Sequence, residues 1–95
     1  MSAVHYAAFN GDLKLLKELI AHGGNIRQKN DTGISALQFA AQGNQSAIIT
    51  YLLDVHGFDI NEVDNKNNSS VHWATFNSNE HALTFLLARN PDVNL

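Results

Sequence analysis

The 95-residue sequence contains no cysteine. That excludes disulfide staples, thiol nucleophiles and thiolate metal sites together. It also suits a reducing compartment, so a cytoplasmic location is expected. Charged residues make up only 16% of the chain, with a net charge of −3 and no run of like charge. No basic excess exists to attract nucleic acid, and no polybasic segment exists to hold a membrane surface. No apolar stretch reaches the roughly 18–20 residues that span a bilayer. Met1 is followed by patterned sequence, without the basic start and apolar run of a secretory leader. Glycine-rich phosphate loops are absent; Gly23-Gly24 reads as a helix stop. Apolar residues at 44% are nevertheless enough for one small globular domain with a modest core.

What the chain has is repetition. Ser2-Ala3-Val4-His5-Tyr6-Ala7-Ala8, Ser35-Ala36-Leu37-Gln38-Phe39-Ala40-Ala41 and Ser69-Ser70-Val71-His72-Trp73-Ala74-Thr75 are one motif, stepped by 35 − 2 = 33 and 69 − 35 = 34 residues. Behind it recur Leu19-Ile20, Leu52-Leu53 and Leu86-Leu87, then Gly24-Asn25-Ile26, Phe58-Asp59-Ile60-Asn61 and Pro91-Asp92-Val93-Asn94. Each unit reads as helix, break, helix, loop. The inner helices are predicted near Val4–Phe9, Ala36–Gln42 and Ser70–Phe76. The breaks are Asn10-Gly11-Asp12, Gly43-Asn44-Gln45 and Asn77-Ser78-Asn79. Leu13, Leu15, Leu16, Leu19 and Ile20 form the apolar face of the first outer helix, which Asp12 caps. The other outer helices are predicted at Ser46 to Val55, with Ser46 as N-cap, and at Glu80 to Ala88. An extra residue near Val55-His56 explains the longer second step. The paired small residues let neighbouring inner helices approach. The turn sequences Asn30-Asp31-Thr32-Gly33 and Asp64-Asn65-Lys66-Asn67 place Gly33 and Asn67 where φ is positive.

A period near 33 with this helix start resembles the ankyrin repeat. The resemblance covers the whole chain. It implies an all-α solenoid of three stacked helix-turn-helix units with projecting β-hairpin-like loops, in one domain over 1–95 with repeats at about 1–30, 31–64 and 65–95. The chain begins and ends within the motif, which predicts either a piece of a longer array or a natural chain with abrupt ends. It departs from the family at Ala3, Ala36 and Ser70, where proline is usual, at Gln38 in place of histidine, and at Glu80 in place of leucine. Tyr6, Phe39 and Trp73 share a position that the family gives to leucine, so they are expected mostly in the core.

Five histidines raise the question of metal. None pairs with another at HxxxH spacing, so no zinc site is expected. The resemblance gives His5, Gln38 and His72 a structural role, bonding the helix-start turn and the adjacent repeat. Ser2–His5 and Ser69–His72 are then architecture rather than nucleophile and base. His22 and His56 suit outer-helix C-termini, and His81 a solvated face.

The family implies a non-enzymatic module that binds a partner protein or peptide, without cofactors and as a monomer. Phe9, Gln42 and Phe76 fall where side chains face the concave groove, with Asn10 and Asn77 beside them. The two aromatics are either binding anchors or packing at the array's edges. Lys29, Asp31, Thr32 and Ile34 in one loop, and Val63, Asn65, Lys66 and Asn68 in the next, are partner-selecting positions. Asn61 and Asn94, with Arg27 in their place in the first unit, hold a loop position that asparagine hydroxylases modify in many ankyrin repeats; each is either such a site or an Asn that simply bonds the loop backbone. A narrower resemblance rests on His72-Trp73-Ala74, Phe76, Ala82-Leu83 and Leu86-Leu87-Ala88. It is to the ankyrin repeats of protein S-acyltransferases with an Asp-His-His-Cys catalytic domain. It implies a cytosolic, substrate-recruiting piece of a membrane-bound enzyme whose catalytic domain is absent here.

Overall fold

The computed structural model describes residues 2–89. Six helices follow in order: α1 (Ala3–Asn10), α2 (Leu13–Ala21), α3 (Ala36–Gln42), α4 (Ser46–Asp54), α5 (Ser70–Phe76) and α6 (Glu80–Leu87). They form three antiparallel pairs. The inner helices α1, α3 and α5 pack side by side, each against its own outer partner, and α4 packs on α6. This is an all-α repeat solenoid.

Local chemistry explains each boundary. Ser2 Oγ accepts from His5 N–H and starts α1. Gly11 ends it at φ 74°, a left-handed conformation in which glycine meets no Cβ clash. Asp12 Oδ1 accepts from Leu15 N–H at 3.0 Å and caps α2. α3 and α5 occupy the predicted ranges. α4 and α6 stop one residue earlier than expected, with Val55 and Ala88 as C-caps. Ser46 is not the N-cap of α4. Gln45 holds that place, and its side chain is used elsewhere.

The core runs through the stack. Ala7, Ala8, Ala40, Ala41 and Ala74 are fully buried where inner helices meet. Leu16, Ile48, Ile49, Leu52, Ala82 and Leu86 fill the space behind them. Neighbouring units approach closely at Gly43, where an added Cβ would lie 2.0 Å from the Phe9 carbonyl oxygen.

Tyr6, Phe39 and Trp73 do not share one environment. Phe39 is buried and its ring lies on His5 of the preceding unit, centroids 4.8 Å apart. Trp73 is half-buried. Tyr6 is 60% exposed, which corrects the expectation of a core residue. The physical reason is directional: this position packs backwards onto the previous unit, and Tyr6 has none before it among the described residues.

Candidate interaction face

The two loops are fingers built by one device. Asn30 Oδ1 accepts from Thr32 N–H, Thr32 Oγ1 and Ile34 N–H. Asp64 Oδ1 accepts from Lys66 and Asn68 N–H, each at 2.9 Å. Both side chains thus imitate a backbone turn. Gly33 and Asn67 follow with φ of 81° and 67°. The bonds Asn30 N–H to Ile34 O and Asp64 N–H to Asn68 O close each finger, and Val63 and Ser69 form a single antiparallel bridge. Asp64 also accepts the Trp73 indole N–H at 3.1 Å through Oδ2, tying its finger to α5. Asn30 and Asp64 are organising residues that a list of exposed tip positions passes over. Their signal was the Asn/Asp at the first turn position.

The fingers are locked to each other. Asn65 N–H donates to Thr32 O at 2.9 Å, and the Asn65 amide donates to Asp31 O. Lys29 lies 3.8 Å from Glu62 across the same gap. Asn65 and Lys29 therefore hold the fingers together. Asp31, Thr32 and Lys66 present exposed side chains, while Ile34, Val63 and Asn68 are half-buried at the finger bases.

His5, Gln38 and His72 occupy equivalent sites at the helix starts. The His5 Nε2–H donates to Gln28 O at 2.7 Å. Gln38 Nε2 donates to Glu62 O and Asn68 O, while its Oε1 accepts from Ser35 N–H. His72 Nδ1 accepts from Ser69 N–H at 2.9 Å. The first two stitch an inner helix to the loop that follows. The loop residues equivalent to Gln28 and Glu62 in the third unit, with Pro91 and Asn94, lie outside the described residues. Asn61 is half-buried, its N–H bonded to Asp59 Oδ1.

Phe9, Gln42 and Phe76 fall in one row at the C-terminal ends of the inner helices, with Asn10 and Asn77 exposed beside them. Phe9 is 37% exposed and Phe76 62% exposed; Gln42 is half-buried. Phe76 is steadied by its own helix. Its ring lies edge-on to Trp73 at 5.9 Å and stacked with His72 at 6.3 Å. A separate cleft of about 450 Å³ opens between the start of α1 and the first finger, lined by Ser2, His5 and residues 28–32. It does not include the aromatic row.

Among the described residues, no group of three His, Cys, Asp or Glu side chains could hold a metal ion. No described helix is long and apolar enough to cross a membrane. His22 is the C-cap of α2 and His81 is exposed. His56 is half-buried with its ring edge-on to Tyr51.

Comparison with known proteins gives a consistent picture. A family model described as ankyrin repeats, in three copies, matches residues 4–95. The potassium channel AKT1 of Arabidopsis thaliana is 43% identical over 58 residues, covering 61% of this chain and 7% of the channel. The Notch-regulated ankyrin repeat-containing protein of Homo sapiens is 40% identical over 52 residues, covering 55% of this chain and 46% of that protein. The crystal structure of the human ASB11 ankyrin repeat domain superposes with a TM-score of 0.86 at 28% identity, covering all of this chain and 42% of that one. The chain thus spans less than half the length of these relatives.

Proposed function

The chain belongs to the ankyrin repeat family, and from that premise we propose that it grips a partner protein or peptide through the face formed by its inner-helix ends and finger tips. Ankyrin repeats generally mediate protein–protein interaction, and such a domain is a non-catalytic module. The observation that carries the finer reading is Phe76. It is largely exposed, yet held by Trp73 and His72. An aromatic already fixed loses little conformational freedom on binding, which is the property of an anchor. The interlocked fingers supply a preformed polar rim, with Asp31, Thr32 and Lys66 outward. Phe9 and Gln42 complete the row.

The test is a selection of peptide ligands from a displayed random library, followed by measured dissociation constants. Phe76→Ala is expected to weaken binding by ~2 kcal/mol or more with an unchanged melting curve. A folded variant that binds as wild type would move the binding surface off this row. Neither of the two curated relatives named above is an S-acyltransferase, and no feature of the described residues favours the acyltransferase-recruiting alternative.

A further inference from the structure

The inner helices α1, α3 and α5 contain no Asp, Glu, Lys or Arg. Their two histidines are engaged within the fold. His5 lies on the Phe39 ring and bonds Gln28 O, and His72 Nδ1 accepts from Ser69 N–H. The charged side chains of the described residues belong to the outer helices and to the breaks, turns and loops. The row of Phe9, Gln42 and Phe76 is therefore built from uncharged helices. A charged ligand side chain set on that row loses water without gaining an opposite charge. The ligand of this row is uncharged where it touches it.

Hydrogen bonding along the row is unbalanced. Its backbone acceptors are engaged by the next unit. Phe9 O accepts from Gln45 Nε2 at 3.2 Å, and Gln42 O accepts from Asn79 Nδ2 at 2.7 Å. Ala41 O accepts from the same Asn79 amide at 2.8 Å. A donor, by contrast, is left over. Gln42 Nε2 is buried and has no hydrogen-bond partner among the described residues. A covered amide without an acceptor is unfavourable and calls for a partner. Gln42 stands in register between Phe9 and Phe76, so that donor belongs to the middle of the row. The row thus suits a ligand that brings carbonyls and few N–H groups. Proline has no N–H, and its rigid ring presents apolar C–H bonds to an aromatic face. A polyproline II segment makes no internal hydrogen bonds, so its carbonyls are free to accept. Aromatic-lined grooves receive such segments, whereas a β-strand ligand needs an open sheet edge, which helices do not provide.

We propose that the row takes an uncharged peptide segment in polyproline II conformation, with one proline on Phe9, a second on Phe76 and a carbonyl between them on the Gln42 amide. The proposal rests on the reading of this row as the binding face and names its ligand. Spacing sets the register. Packed helices lie about 8–10 Å apart, so Phe9 and Phe76, two inner helices apart, stand on the order of 16–20 Å from each other. Polyproline II advances ~3.1 Å per residue with about three residues per turn, so roughly six residues bridge that span. That is a whole number of turns, and both prolines then face the same side. The Gln42 donor is covered in the unbound protein, and rotation of its amide brings it to the ligand.

The test titrates the whole chain with three end-capped, uncharged alanine–glutamine peptides and follows binding by NMR chemical shifts. The first carries two prolines roughly six residues apart, the second carries them out of phase at roughly four, and the third has alanine at both places. The in-phase peptide is expected to bind about tenfold or more tightly than the other two, and to shift the Gln42 side-chain amide. Phe9→Ala and Phe76→Ala are each expected to weaken it by about tenfold or more. Gln42→Leu keeps the bulk and removes the donor. It is expected to weaken the peptide about three- to tenfold without lowering the melting midpoint, whereas a merely structural Gln42 would move the midpoint and not the affinity. Equal binding of the three peptides overturns the proposal, as does no binding by the folded protein. Library-selected ligands separate the two readings. Ligands that need Phe76 but contain no proline keep the row as the binding face and overturn the polyproline assignment. Ligands indifferent to Phe76→Ala overturn the row itself.

Discussion

Two carboxylates show how differently one residue type can act in this chain. Asp54 is exposed and paired with Arg89, whose Nε and Nη2 donate to its two oxygens at 3.2 and 2.8 Å, joining the ends of α4 and α6. The Arg89 hydrogen bonds, with a smaller contribution from its charge, hold the Asp54 pKa below the ordinary value of 3.8. A depressed carboxylate pKa contributes stability above the unfolded-state value. That contribution is lost as pH falls through the lower, folded-state value. Arg89→Gln is expected to return Asp54 to the ordinary range and remove the loss of stability that sets in as pH falls below 3.8. Carboxyl NMR titration checks this, and an unmoved Asp54 would dissolve the pair. Asp64 is buried and accepts three hydrogen bonds. Asp64→Ala leaves those donors unmatched and is expected to cost about 1–3 kcal/mol, read by urea unfolding. The turn at Asp64 was legible in the sequence. Its bond to Trp73 was not, because nothing in a turn signature states which way an indole nine residues later will face.

At the level of helices, periodicity and break residues carried most of the information. Glycine and asparagine at Gly11, Asn44 and Asn67 mark left-handed backbone that other residues resist. The apolar face around Leu16 is buried in the core. Ser46 misled because serine is a good N-cap in isolation, whereas here Gln45 holds the N-cap place and gives its side chain to the Phe9 carbonyl of the preceding unit. Tyr6 misled for a related reason: a repeat position is buried by its neighbour rather than by its own unit. Leu52 is fully buried between helices. Leu52→Ala is expected to destabilise by ~2–5 kcal/mol, measured by circular dichroism melting. Ala40→Leu is expected to cost ~1–3 kcal/mol by overpacking, with the middle unit affected first in hydrogen exchange.

For the molecule as a whole, the fold could be read from residue spacing because one unit is stated three times. The candidate face was legible only as a set of positions. Which of them are spoken for depends on contacts between units: Lys29 and Asn65 join the fingers, while Asp31 and Lys66 point outward. Against a selected ligand, Lys66→Ala is expected to cost under ~1 kcal/mol and to depend on salt, unlike loss of an aromatic anchor. Asn65 N–H, at an exposed tip, is bonded to Thr32 O of the other finger, and no such bond is formed by the equivalent Asp31 N–H among the described residues. Two amides at the same place in successive loops, both on exposed residues, should therefore trade protons with solvent at different speeds. The Asn65 amide can exchange only when the two fingers part. Its rate is a clock for the opening of the stack itself, readable at one residue without unfolding the protein.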